Sequence, residues 1–353
     1  MIDTDAVVIG AGPVGLFQVF QLGLLGLEAH VVDVLPEPGG QCVALYPDKP
    51  IYDVPGIPAC TGRELAQLLL DQAAPFLPRD AQGHSTRLHL GQQVAHLSRD
   101  DSGHFKLTTQ QGRAFRARAV FIAAGAGAFV PRSLNLPGLG DCTNVHHHLP
   151  DAGQPAPWAG QHVVVCGGGD EALSTVVALS ADTPERRPAR ITLQHRRDVF
   201  QAEPELDAAV RLLMRDGAVR LQTGLPDALD TDGGRVTALR LLGSDGQPVS
   251  LPLDHLLIRQ GLSPRLGPLA EWGLTLERKQ VSVSSATFES NLPGVYAVGD
   301  VNTYPGKKRL LLCGFHEATL AAHAASAALN PDAPQHLLYT TTSPLLKQRL
   351  GRA

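Results

Sequence analysis

The chain has 353 residues, room for two or three domains, and its 43% hydrophobic and 18% charged content is that of a globular protein rather than a disordered or fibrous one. A formal net charge of −4 gives no reason to expect nucleic acid or an anionic membrane as partner. The acidic start Met1-Ile2-Asp3-Thr4-Asp5 is unlike a secretory signal, and Gly10, Gly12, Gly15 and Gly23 break the apolar stretch after it, so no membrane span and a cytoplasmic location are expected.

In chain order, residues 6–9 read as a strand, Gly10-Ala11-Gly12-Pro13-Val14-Gly15 as a turn and residues 14–27 as a helix. A second strand over 29–34 carries Asp33 near its end, and Pro36-Glu37-Pro38-Gly39-Gly40-Gln41 is a turn-rich loop. Residues 65–74 have a helical pattern, while 88–98, 104–110 and 115–124 alternate as strands. Residues 131–157, rich in Pro, Gly, Asp and His, read as a connector. The pattern then restarts with strand 162–166, turn Gly167-Gly168-Gly169-Asp170-Glu171-Ala172, helix 171–180 and strand 190–194. After Asn291-Leu292-Pro293 come strand 294–298, Gly299-Asp300, an Ala-rich helix over about 317–329 and a short tail from Tyr339.

The two glycine turns carry the chemistry. Glycine lets the backbone approach a pyrophosphate, which then rests on the helix N-terminus. Two such turns imply two dinucleotides, and the usual reason to hold two is to pass electrons between them. Asp33 can accept hydrogen bonds from an adenosine ribose, which favours FAD or NAD over NADP at the first turn. The second turn has no acid at the equivalent strand end. It has His195-Arg196-Arg197, and arginine forks suit the 2′-phosphate of NADPH. Asp300, at a strand end before a helix, could bond the ribityl or phosphate part of a flavin.

The five cysteines include no C-x-x-C, so neither a disulfide framework nor a zinc site is expected, and no metal is assigned. His146-His147-His148 reads as a solvent-facing loop, because adjacent side chains diverge.

Together these residues resemble the bacterial thioredoxin-reductase-like ferredoxin–NADP⁺ reductases over nearly the whole chain. The most specific stretches are Gly39-Gly40-Gln41-Cys42-Val43-Ala44-Leu45-Tyr46-Pro47, Tyr52-Asp53-Val54-Pro55-Gly56, Ala123-Ala124-Gly125-Ala126-Gly127-Ala128-Phe129-Val130-Pro131-Arg132, Gly299-Asp300-Val301-Asn302-Thr303-Tyr304-Pro305-Gly306-Lys307 and Tyr339-Thr340-Thr341-Thr342-Ser343. The resemblance implies an α/β protein of two Rossmann-like dinucleotide-binding domains, each a three-layer ββα arrangement. An NADPH domain, 130–286, is inserted into an FAD domain, 1–129 and 287–353, whose tail from about 338 covers a flavin.

By the same resemblance FAD lies against Gly10, Gly12, Pro13, Gly15, Asp33, Gln41, Val94, Phe129, Asp300 and Thr341. Tyr46 stacks on one flavin face, and Tyr339, from the tail of the second subunit of a homodimer, on the other. NADPH lies on Gly167, Gly168, Gly169, Asp170, His195, Arg196 and Arg197. The flavin carries the chemistry, so no side-chain acid or base is assigned. Electrons leave for ferredoxin or flavodoxin, with Lys307, Lys308, Arg309, Lys347, Arg349 and Arg352 as the basic docking set. The thioredoxin reductases carry a C-x-x-C before the second turn; only Cys142 stands here, and one thiol cannot cycle as a dithiol.

Two positions depart from the relatives. Glu171 replaces a small residue at the second helix N-terminus, where a carboxylate competes with pyrophosphate. Gln201 replaces a third arginine, a loss of about 1–2 kcal/mol toward the 2′-phosphate. Both are expected to weaken NADPH binding. Two other functions fit the bare pattern: an NAD(P)H dehydrogenase with a quinone or small-disulfide acceptor, and an FAD-binding sensor or structural protein with a decayed nucleotide site.

Overall fold

A computed structural model describes residues 1–149, 156–243, 245–332 and 336–352; the side chains of 128–131 and 262–265 lie outside the description. The chain forms two compact units, Met1–Ala128 with Pro264–Ala353, and Phe129–Ser263. The first crossing falls at 128/129, one residue before the expected 129/130. The second falls at 263/264, earlier than the expected 286/287. The reason is burial: Leu269, Leu274, Val281 and Val283 pack into the core of the first unit, beside Val120, Phe121 and Phe288. Within the expected connector, residues 150–155 lie outside the description.

The first unit is built on a seven-stranded sheet. Its order is Leu88–His89, Ala29–Val32, Ile2–Ile9, Ala114–Ile122, Phe105–Thr109 and Val94–Arg99, and Val295–Ala297 also pairs with Ala114–Ile122. The strands around Ile2–Ile9 are parallel, so Ile9, Val32, Ile122 and Ala297 end on one edge. Helix Pro13–Leu24 packs against both Gly62–Ala73 and Leu311–Leu329. The expected single strand over 88–98 is two strands, because residues 90–93 turn at Gly91.

The second unit repeats the parallel core, in the order Val145–His146, His255–Ile258, His162–Cys166, Arg190–His195 and Val219–Thr223. Strand His162–Cys166 is buried on both faces from Val163 onward, and those four residues are all apolar. Val163 and Val165 point to the helices Asp170–Ala181 and Pro204–Arg215, while Val164 and Cys166 point to an antiparallel meander. That meander, Leu225–Asp232, Arg235–Leu242 and Pro248–Pro252, supplies the third layer.

A polar chain runs through the edge of the first sheet. Arg113 donates to Nδ1 of His89 at 3.0 Å, which leaves the neutral ring's proton on Nε2. That nitrogen lies 2.9 Å from Nδ1 of His30, whose Nε2 faces Glu28 at 3.7 Å. The two rings stack at 5.2 Å. Burial and the charge of Arg113 push the His89 pKa down to about 4. A depressed imidazole stabilises the fold at pH values above the unfolded pKa of 6.5 and loses that contribution as pH falls toward about 4. We expect a loss on the order of 2–3 kcal/mol over this window. Urea unfolding of the wild type and His89→Leu across the window checks it. Equal pH slopes for the two proteins would refute the assignment.

Candidate dinucleotide-binding sites

The first glycine turn joins strand Ile2–Ile9 to helix Pro13–Leu24. A side chain at Gly10 would meet the Ala123 carbonyl oxygen at 2.4 Å, and one at Gly15 would meet the Gly10 carbonyl oxygen at 1.9 Å. Helix and strand therefore pack at a separation only glycine allows. The helix has Gly12 at its cap and Pro13 in its first turn, with no side-chain cap and no acid. Its positive end is thus left for an external anion, a cradle that fits a dinucleotide pyrophosphate.

Asp33 follows the second strand and is buried. Its Oδ2 accepts from the Ala11 N–H of the turn at 2.5 Å, and its Oδ1 from the Leu35 N–H at 2.7 Å. Burial raises its pKa and these backbone bonds oppose the rise. The carboxylate therefore ties the strand end to the glycine turn, a contact the sequence does not reveal. The Gln92 N–H bonds the Asp33 carbonyl at 2.8 Å, and Val94, buried at the start of its strand, follows two residues on.

Three more expected residues gather at this edge. Gln41 opens the short helix Gln41–Ala44 and reaches toward Gly125. Gly40, before it, lies against Gly12 of the turn. Tyr46 is half-buried, its hydroxyl 3.5 Å from the Cys42 thiol. Burial and that contact push the Tyr46 hydroxyl pKa up, and the charges of Asp300 and Asp53 add to the rise. Asp300 thus lies on the Tyr46 side, in a turn whose Gly299 packs on Val14 of the first helix.

Beneath this turn sits a residue the sequence reading missed. Glu317 is fully buried; Oε2 accepts from the Gly299 N–H at 2.7 Å and from Asn302 Nδ2 at 2.9 Å. Its Oε1 accepts from Tyr304 at 2.9 Å and from Lys307 at 2.5 Å. Lys307 also donates to the Gly299 carbonyl. The basic docking set is corrected accordingly. Lys307 is a buried partner of Glu317, and Arg349 donates to the Leu24 carbonyl at the end of the first helix. Lys308, Arg309, Lys347 and Arg352 remain exposed.

The tail docks through buried Leu346 and Arg349, yet Tyr339 is 63% exposed and Thr341 is exposed. Within one chain neither is brought to the cluster around Tyr46. Phe129 lies in the strand Ala128–Pro131, and its side chain is outside the description.

The second turn repeats the first in register. Cys166 pairs with Gln194 as Ile9 pairs with Val32, so Gly167 matches Gly10 and His195 matches Asp33. The His195 ring lies against Gly168, as the Asp33 carboxylate lies against Ala11. Arg196 and Arg197 follow, both exposed, and no carboxylate pairs with either among the described residues. Gln201 contributes backbone: its N–H bonds the Gly168 carbonyl at 2.7 Å. The segment therefore crosses the turn whatever side chain stands there. Asp170 accepts from the Glu203 N–H at 2.7 Å, and Glu171 pairs with Arg259 at 3.0 Å. Glu171 is not the free competitor that the sequence suggests.

The histidine run is also corrected. His146 belongs to a strand, with its Nε2 2.9 Å from His255 Nδ1 and its ring edge-on to Trp158. Among the described residues no helix is long and apolar enough to cross a membrane.

The model of the pyridine nucleotide-disulphide oxidoreductase family matches residues 4–328. A ferredoxin–NADP reductase of Paracidovorax citrulli is 54% identical, over 100% of this chain and 97% of its own. The chain belongs to the pyridine nucleotide-disulphide oxidoreductase family, in its ferredoxin–NADP reductase branch. A second member of the branch, from Leptothrix cholodnii, is 51% identical over 99% of this chain and 92% of its own. Solved structures at lower identity share the fold. Thioredoxin reductase of T. acidophilum covers 93% of this chain and 99% of its own at a TM-score of 0.57 and 20% identity. Bacillithiol disulfide reductase of Staphylococcus aureus covers 94% and 100% at a TM-score of 0.63 and 15% identity. The resemblance drawn from the motifs holds, and the chain is an oxidoreductase of two Rossmann-like units.

Proposed function

We propose that the chain is an FAD-dependent oxidoreductase that takes hydride from NADPH and passes electrons singly to ferredoxin or flavodoxin. One observation carries the reading. The same strand–turn–helix occurs in both units, and the matching strand ends differ in charge, Asp33 in one and His195-Arg196-Arg197 in the other. The first suits a free ribose 2′-hydroxyl and the second a 2′-phosphate. Bound FAD would supply the hydride acceptor and the two-to-one electron split.

The residues of this chain position the cofactors. Gly10, Gly12, Pro13 and Gly15 receive the FAD pyrophosphate, and Asp33 the adenosine ribose. Gln41, Val94, Phe129, Asp300 and Thr341 line the rest, with Tyr46 on one flavin face. Gly167, Gly168, Gly169 and Asp170 form the NADPH turn. A homodimer fits the tail, where Leu337, Leu338 and Tyr339 are exposed apolar side chains, available to the flavin of a second copy. A cytoplasmic location fits five free cysteines.

Anaerobic stopped-flow mixing of the yellow protein with NADPH, then with NADH, tests the reading. Fast bleaching of the flavin by NADPH and slow bleaching by NADH are expected, followed by reoxidation on adding oxidised ferredoxin. A protein that holds FAD yet bleaches with neither nucleotide would overturn it.

A further inference from the structure

We propose that Arg259 is a positioning residue for the nucleotide at the second turn: it holds Glu171 away from the helix N-terminus that receives the pyrophosphate. The proposal rests on NADPH binding at that turn. The chain contains its own control, because the first turn is built in the same register. Ile122 pairs with Ile9 and Ile258 with Cys166, so Ala123 and Arg259 hold equivalent positions, as do Val14 and Glu171. Both backbones back onto the leading glycine alike. Ala123 N–H bonds the Ile9 carbonyl and Arg259 N–H the Cys166 carbonyl, each at 2.8 Å. A side chain at Gly10 or Gly167 would strike the respective carbonyl oxygen at 2.4 or 2.1 Å.

Where the first unit has apolar residues at the two positions, Val14 and Ala123, the second has an ion pair. The need for it follows from the helix. The first helix has no acid in its first turn, whereas the second begins Asp170-Glu171. Two carboxylates there oppose a pyrophosphate for the same positive end. Asp170 is turned onto the Glu203 N–H. Glu171 is drawn to Arg259 at 3.0 Å, with the two side chains 34% and 14% exposed. Arg259 is itself fixed in place. Its Nε donates to buried Thr175 at 3.1 Å, one turn along the same helix, and its Nη1 donates to the His147 carbonyl.

The test is calorimetric titration of the FAD-loaded full-length protein with NADP⁺ and with NAD⁺. Arg259→Gln frees the Glu171 carboxylate and is expected to weaken both by about tenfold, since the pyrophosphate is common to both. Turnover at saturating NADPH should be unchanged. Glu171→Gln alone should leave binding within about twofold or tighten it, and the Arg259→Gln, Glu171→Gln double variant should return to within about twofold of wild type. A double variant as weak as Arg259→Gln would make Arg259 a direct ligand and overturn the proposal. So would wild-type affinity in Arg259→Gln. Melting temperatures of the three variants identify any that misfold, and the recovery expected in the double variant is a result that misfolding cannot mimic. If the wild type binds neither nucleotide, the functional reading itself fails; if it binds and Arg259→Gln is silent, this proposal alone fails.

Discussion

Replacing Arg196 and Arg197 together by alanine is expected to raise the KM for NADPH by about 30- to 100-fold, with KM for NADH changed by less than about threefold. The two arginines follow the strand end at which His195 stands in the register of Asp33, and both are exposed without a carboxylate partner among the described residues. A charge-assisted hydrogen bond contributes about 1.5–3 kcal/mol, and water at an exposed site reduces this. Two contacts of about 1–1.4 kcal/mol each give the stated range. Because the 2′-phosphate is remote from the reacting atoms, the loss should fall on KM and spare kcat. Equal losses for NADPH and NADH would show that the pair serves the fold and not the phosphate.

The second large effect is on stability. Glu317→Ala leaves the Lys307 ammonium, 7% exposed, without its counter-charge, and removes the acceptor of the Gly299 N–H. Breaking one side of a buried pair costs about 3–5 kcal/mol. We expect the unit of Met1–Ala128 and Pro264–Ala353 to melt well below wild type in Glu317→Ala and, under the proposed placement of FAD, to release the cofactor, since the Gly299-Asp300 turn loses its support. Glu317→Leu combined with Lys307→Met should recover much of the loss, because no charge is then stranded. Thermal melts monitored by flavin fluorescence decide the matter, and a Glu317→Ala protein that melts with wild type would contradict it.

These two sites mark what the sequence does and does not disclose. The glycine turns and strand-end residues are legible because a local pattern has a local cause: strand, close approach and helix follow one another along the chain. From sequence Lys307 reads as a solvated docking charge, because a Lys-Lys-Arg run looks the same whether or not a carboxylate lies beneath it. Its partner Glu317 sits in an Ala-rich helix where nothing local shows that it is buried. Glu171 reads as a rival to the pyrophosphate because Arg259, which engages it, is remote in sequence. His146 reads as loop because its partners His255 and Trp158 are set by sheet order, not by spacing. The second boundary is hidden for the same reason: residues 264–286 read as a continuation of the inserted unit, while their apolar side chains complete the core of the other.

That division bears on how the polypeptide is made. The inserted unit is one uninterrupted stretch, 129–263, and can close as soon as it has left the ribosome. The flanking unit cannot. Strand Val295–Ala297 and helix Leu311–Leu329 belong to its centre, and Gln18 bonds the carbonyl of Ala318 at 3.1 Å. The amino-terminal strands must therefore wait, with apolar faces uncovered, until nearly all of the chain has been translated. The half synthesised first is completed last, and a chain stopped between Ser263 and Leu329 would carry a finished inserted unit beside an aggregation-prone remnant.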